Sequence, residues 1–145
     1  MSAEDNKALA RRFVEAINNK DMSMFDEIIA EDYIQHNPQV AQGREGVKLF
    51  FAYFFSAFPD LHLTADDIVA QDDRVATRWT MRATHRGEFF GVPATGRRVV
   101  VTGMDLWRIA DGKAAEHWDS IDNLGMLQQL GVIPAPDAAP AAATE

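Results

Sequence analysis

Apolar side chains recur at helical spacing near the start of the chain. Leu9, Phe13 and Ile17 fall on one stripe of a helix with 3.6 residues per turn. Ser2 followed three residues later by Asp5 is an acidic variant of the capping box that opens such a helix. The pattern therefore predicts an amphipathic N-terminal helix with one buried face.

Two more helices are predicted before the pattern changes. Asp21 is expected to cap a short helix whose inner face carries Phe25, Ile28 and Ile29. A third helix is predicted from about residue 44 to 58, where apolar side chains occur nearly all round the helix. A helix of that kind must be covered on most of its sides.

From Asp60 onward the hydrophobic period shifts toward two, which is typical of β-strands. Asp111-Gly112 is the strongest hairpin signal in the chain. The strand that returns from this turn leads into Asp122 and a last short amphipathic helix. Extended segments are predicted at residues 33–38, 61–70, 74–85 and 99–109, and on the returning strand.

Helices followed by an antiparallel meander indicate the α+β class. We expect a curved, mainly antiparallel sheet wrapped around the N-terminal helices, with a cavity at its open end as the natural functional site. This domain is predicted to span residues 1–132. Residues 133–145 are rich in alanine and proline without a pattern, and are predicted to form a disordered tail.

Composition narrows the class of protein. The 145 residues, 47% of them hydrophobic, suit one domain with an ordinary core. The net charge of −8 argues against nucleic acid or an anionic membrane as a partner. Neither a membrane-spanning apolar run nor a signal peptide is visible, so we expect a cytoplasmic protein. The absence of cysteine excludes disulfides and thiolate chemistry.

The returning strand carries most of the candidate chemistry. Alternation separates its side chains into two sets, one on each face of the sheet. The sets are Glu116, Trp118, Ser120 and Asp122, against His117, Asp119 and Ile121. We expect the Trp118 set to face the cavity and His117 to point outward. Asp122 is then either a general base beside an aromatic wall or the N-cap of the last helix.

Other polar residues give weaker signals. His36 is interpreted as a local hydrogen-bonding group or a catalytic residue, whereas His85 shares a face with Trp79 and is expected in the cavity. His117 with Asp119 is too weak a pair to indicate a metal, and no nucleotide-binding loop is present, so we expect no metal and no cofactor. These observations favour cofactor-free acid–base chemistry in an apolar pocket.

Several motifs occur together in one order along the chain. They are Tyr33-x-x-His36-x-Pro38, the loop segment 90–97, Asp111-Gly112-Lys113, Glu116-x-Trp118-x-x-x-Asp122 and the segment 125–131. In this combination the chain resembles the SnoaL-like polyketide cyclase family. The likeness extends over about residues 5–132, nearly the whole chain.

The resemblance implies the cone-shaped α+β fold of the nuclear transport factor and ketosteroid isomerase superfamily. It also implies ring closure by intramolecular aldol condensation, without cofactors and in an oligomer, on an apolar, carbonyl-rich small molecule. The family's general base, an aspartate that enters the final helix, maps onto Asp122. The histidine of the family's early motif maps onto His36.

Around these two residues we expect a substrate pocket built from several strands and helices. Its predicted lining is Trp118, Trp79, Met104, Phe54, Tyr33, His85, Trp107 and Glu116. A non-catalytic small-molecule binding domain is the first alternative. Ketosteroid-isomerase-like or epoxide-hydrolase-like chemistry is the second, and Asp105, Arg78 and Asp122 come nearest to the hydrolase set. The outer sheet face is expected to join a homo-oligomer, a dimer or a tetramer.

Overall fold

A computed structural model describes residues 2–136. Most of the predicted tail, residues 137–145, lies outside this described part. The helices are α1 (Ala3–Asn19), α2 (Phe25–Ile28), α3 (Gly43–Ala57) and α4 (Asn123–Gln129), with a 3-10 turn at Met22–Met24 before α2. The strands are β1 (Ile29–Gln35), β2 (His62–Gln71), β3 (Arg74–Thr84), β4 (Arg98–Ala110) and β5 (Lys113–Ile121).

The first helix begins at the predicted cap. Ser2 accepts a hydrogen bond from the backbone N–H of Asp5, whose side chain accepts one from the backbone N–H of Ser2. Leu9 and Ile17 are buried on the inner face, as the spacing predicts. The helix ends at Lys20, which adopts a left-handed backbone conformation.

The strands form one five-stranded sheet in the order β1-β5-β4-β3-β2. Neighbouring strands run antiparallel except β1, which pairs in parallel with β5 at the edge. β1 begins at Ile29, earlier than the predicted extended segment. Ile29 therefore starts a strand rather than completing the second helix, because α2 is a single turn that ends at Ile28. The mixed sheet and four helices confirm the predicted α+β class.

Helices α1 and α3 cover the inner face of the sheet through an aromatic core. Phe13 stacks on Phe25 with ring centroids 5.5 Å apart, and its edge meets Trp107 of β4 at 4.9 Å. Phe51 of α3 joins the same group at 5.8 Å from Phe13. These contacts hold both helices on one face of the sheet, and no helix of the described residues covers the other face. Within residues 2–136, we find no helix long and apolar enough to cross a membrane.

Candidate active site

The pairing of strands decides which side chains meet on the inner face. β4 and β5 place Asp105 opposite Asp119 and Trp107 opposite His117. β1 and β5 place Gln35 opposite the same His117. Because residues paired across neighbouring strands project from the same face, these five side chains emerge toward the helices.

Beside them lies a cavity of about 110 Å³ between the sheet and α3. Most of its walls are apolar, including Phe50, Phe54, Trp79, Met81, Phe89 and Met126. Trp79 lies flat across β4 at Gly103, where a Cβ would come within 2.4 Å of the indole ring. A residue with a side chain at position 103 would push this wall of the cavity aside.

A cluster of polar side chains occupies the sheet side of the cavity. His117 Nε2 lies 3.2 Å from Asp105 Oδ1 and 3.8 Å from Asp119 Oδ2. On its other side, His117 Nδ1 lies 2.6 Å from Gln35 Oε1. Asn37 Nδ2 donates to Asp119 Oδ2 at 3.0 Å. An imidazole between two carboxylates, next to an apolar cavity, is an arrangement suited to proton transfer.

Burial sets the electrostatics of this cluster. Burial raises the pKa of Asp119, and the nearby charge of Asp105 raises it further, while the hydrogen bond from Asn37 and the charge of His117 oppose the rise. Tyr33 stacks on the His117 ring with centroids 5.9 Å apart. Burial and then the Asp105 charge raise the pKa of Tyr33 well above its ordinary value, so Tyr33 is neutral. Asp119 is thus a stronger base than a solvated aspartate.

The same three groups also have the composition of a cation site. Among the described residues, Asp105, His117 and Asp119 offer ligand atoms that all lie within 4.8 Å of one another. The direct 3.2 Å contact between His117 and Asp105 is the hydrogen bond that such a pair makes by itself. The expectation of no metal from the sequence stays a prediction.

The structure places the two predicted catalytic residues away from the cavity. Asp122 is exposed and caps α4, its Oδ1 accepting a hydrogen bond from the backbone N–H of Gly125 at 2.9 Å. His36 is exposed on the outer sheet face, where it bonds Glu116 at 2.8 Å and stacks on Trp118. The predicted cavity positions of Asp122 and His36 are therefore wrong, because the Trp118 face of β5 is the outer one.

Because the Trp118 face of the sheet is the outer one, three residues of the predicted pocket also lie outside the cavity. Trp118 lies on the outer face between the His36 ring, 4.8 Å away, and the Arg74 guanidinium, 5.2 Å away. Glu116 bonds His36 and Arg108, and these two bonds lower its pKa, which makes it a poor base. Met104 is 57% exposed on the same face.

Other predicted pocket residues divide between the cavity and the core. Phe54, Trp79 and Tyr33 line the cavity. His85 is fully buried outside it, packed against Phe58. Trp107 packs against Phe13 in the core. The predicted cavity positions of His85 and Trp107 are therefore wrong, and both are core residues.

The hydrolase set that the sequence suggested is not assembled. Arg78 points outward and donates to Asp67 at 2.7 Å, while Asp105 faces inward and Asp122 caps a helix. No epoxide-hydrolase-like arrangement of these three residues exists within the described chain.

Sequence reasoning missed most of the polar residues that line the cavity. Gln35 and Asn37 are not among the predicted site residues, and Asp105 is predicted only as part of the hydrolase set. His117 and Asp119 are predicted to point outward, whereas all five residues line the cavity. The alternation along β5 did place His117 and Asp119 together on one face. The sequence did not show which face of the sheet the helices cover.

Comparisons with known proteins agree with this fold. TsrD from Streptomyces laurentii has 34% sequence identity and a TM-score of 0.86, over 92% of this chain and 99% of its own. AclR from Streptomyces galilaeus, described as a candidate hydroxylase, has 37% identity and a TM-score of 0.83, over 92% of this chain and all of its own. The α+β fold is thus shared with solved bacterial proteins.

The family follows from the sequence comparison. The model of the SnoaL-like polyketide cyclases matches residues 7–130. The aklanonic acid methyl ester cyclase DauD of Streptomyces sp. (strain C5) is 33% identical over 129 residues, covering 85% of this chain and 80% of DauD. The chain belongs to the SnoaL-like polyketide cyclase family, which confirms the predicted resemblance and its cyclase-like enzyme class.

The cap at Asp122 gives a direct prediction about stability. Asp122→Ala removes the acceptor for the Gly125 N–H and should lower the free energy of unfolding by about 1 kcal/mol. Asp122→Asn keeps an oxygen at the same place and should change it by only a few tenths. Urea unfolding followed by tryptophan fluorescence measures both. An Asp122→Ala protein as stable as wild type would contradict the capping role.

Proposed function

We propose that this protein is a cofactor-independent cyclase in which Asp119 is the general base. Its substrate is an apolar, carbonyl-rich small molecule held against the Phe54 and Trp79 walls. The observation that carries the proposal is the position of Asp119, a carboxylate next to an apolar cavity with its pKa raised by burial. Such a base removes a proton from a carbon that neighbouring carbonyl groups already acidify.

The reaction balances without a metal or a nucleotide. Asp119 takes the carbon-bound proton, and the enolate carbon attacks a second carbonyl of the same molecule to form the new carbon–carbon bond. The attacked carbonyl oxygen becomes an alkoxide, which receives a proton from the cluster, so no proton is gained or lost overall. General-base catalysis supplies about 10²–10⁴-fold, which suits a substrate that is already activated.

Asn37 has a distinct part in this scheme. Its side-chain N–H bond to Asp119 holds the carboxylate in one orientation and favours its charged form. The backbone N–H of Gln39 donates to Asn37 Oδ1 at 2.9 Å, which fixes the orientation of the amide. Burial and Asn37 thus act in opposite directions on the basicity of Asp119.

The base is tested by a pair of matched variants. Aklanonic acid methyl ester is the first substrate to try, because DauD is named for it. Asp119→Asn keeps the shape but cannot accept the proton, so we expect turnover to fall by about 100-fold or more. Asp122→Asn should retain the wild-type rate. Chromatographic product formation measures turnover, and quenching of tryptophan fluorescence measures binding.

Two outcomes would change the conclusion. An Asp119→Asn protein that turns over at the wild-type rate would exclude Asp119 as the base. A wild-type protein that binds aromatic esters of this class but turns none of them over would favour the alternative, a non-catalytic small-molecule binding domain.

The pH dependence gives a second test of the same base. Only deprotonated Asp119 accepts a proton, so the rate should fall as the pH drops through its pKa, which lies above the ordinary 3.8. Asn37→Ala removes a bond that lowers this pKa and should move the acid limb of kcat/KM to higher pH. Asn123→Ala makes the same change at a cavity residue without a bond to Asp119 and should leave the limb in place. An unmoved limb in Asn37→Ala would contradict the scheme.

A homodimer through the outer sheet face is the assembly that we propose. Apolar side chains are exposed there on β4, at Val100, Met104 and Leu106, and on β1, at Ile34, and no helix within residues 2–136 covers them. Apolar patches of this kind are typical of protein interfaces.

The cytoplasmic location stays a prediction from the sequence.

Sedimentation tests this assembly. The wild type should sediment as a dimer, and Met104→Lys should dissociate it because the variant would bury a positive charge in the apolar patch, next to the cation of Arg78. Leu49→Lys changes an even more exposed apolar residue on α3, away from the outer face of the sheet, and should leave the dimer intact. A Met104→Lys protein that stays dimeric would place the interface elsewhere.

A further inference from the structure

Gln35 is held from two directions at the end of β1. Its side-chain oxygen accepts a hydrogen bond from the backbone N–H of Asn37 at 3.0 Å. Its backbone is bound on both sides by the amide of Gln42, which accepts from the Gln35 N–H at 2.9 Å and donates to the Gln35 carbonyl at 2.7 Å. Because a backbone N–H only donates, the atom of Gln35 at this position must be the oxygen and not the nitrogen.

This orientation fixes the protonation of one nitrogen of His117. The same Gln35 oxygen lies 2.6 Å from His117 Nδ1. An oxygen that carries no proton accepts only, so Nδ1 must carry the hydrogen and donate it. In its neutral form His117 is therefore held as the Nδ1–H tautomer, with the Nε2 lone pair directed into the cluster.

The groups that face Nε2 are both acidic. Asp105 approaches from β4 at 3.2 Å and Asp119 from β5 at 3.8 Å, while Tyr33 of β1 stacks on the ring and is neutral. A lone pair facing two carboxylates would be repelled, so a proton must lie among these three groups. On Nε2, this proton makes His117 a donor toward the carboxylates and toward a bound substrate oxygen.

We infer that Gln35 is a positioning residue. By accepting the hydrogen of His117 Nδ1, Gln35 leaves Nε2 as the nitrogen that gives and receives the proton during the reaction. The inference rests on the proposed cyclase and completes its proton path. Nε2–H protonates the alkoxide that forms when the carbon–carbon bond closes. The proton that Asp119 took from the substrate carbon then passes to Nε2, which restores the starting state with no net change in protons.

Nitrogen-15 NMR of labelled protein tests this directly. In wild type, Nδ1 of His117 should give a protonated, pyrrole-type signal. Gln35→Met removes the acceptor at similar length, so the neutral ring should change to the Nε2–H tautomer that can donate to Asp105. Gln35→Glu restores an oxygen at the same place and should restore the Nδ1–H signal. The His117→Asn spectrum assigns the peaks.

Turnover gives a second readout. Gln35→Met should lower kcat by about 10²-fold with little change in KM, because the proton donor is misplaced and the apolar walls are untouched. Gln35→Glu should recover part of the loss, and Gln71→Met, at the exposed end of β2, should behave as wild type.

The outcomes separate this inference from the proposed function. An unprotonated, pyridine-type Nδ1 in wild type would overturn the role of Gln35 whatever the activity. A confirmed Nδ1–H tautomer together with full turnover by Asp119→Asn would leave the role of Gln35 in holding His117 intact and reject the proposed base. A dispersed amide spectrum of Gln35→Glu shows that the fold tolerates change at this position, should Gln35→Met fail to fold.

Discussion

The pairing of β4 with β5 is the constraint on which the site depends. It places Asp105 directly opposite Asp119, and His117 two residues earlier on the same strand, so all three side chains emerge from one face. If the register of β5 slipped by one residue, His117 and Asp119 would point to the opposite face of the sheet. The cavity chemistry is therefore decided by backbone hydrogen bonds between two long strands rather than by a local motif.

The second requirement is that the buried polar groups have partners. Carboxylates and an imidazole beside an apolar cavity are costly unless they are hydrogen-bonded. The edge strand β1 and the residues after it supply these bonds through Gln35 and Asn37. The parallel pairing of β1 with β5 thus has a chemical consequence, since it brings the orienting amides to His117 and Asp119.

The two faces of β5 invert the usual rule that polar side chains point outward. Trp118 lies outside, covered on one side by His36 and on the other by Arg74. His117 and Asp119 lie inside. Functional sites are where such violations of the hydrophobic pattern are expected. Alternation with Trp118 selects the aromatic face of β5 and with it Asp122, and the family resemblance adds His36, which is why these two residues are predicted in the cavity and Asp119 is not.

The sequence by itself determined most of the helices and strands, the α+β class and the family, because periodicity and ordered motifs are local properties of the chain. It did not place the start of β1 at Ile29. It separated the side chains of β5 correctly into two sets. Only the tertiary structure decided which set faces the cavity, because that depends on which side of the sheet α1 and α3 cover. It alone joined Gln35 to His117 across 82 positions, a contact that no local pattern records.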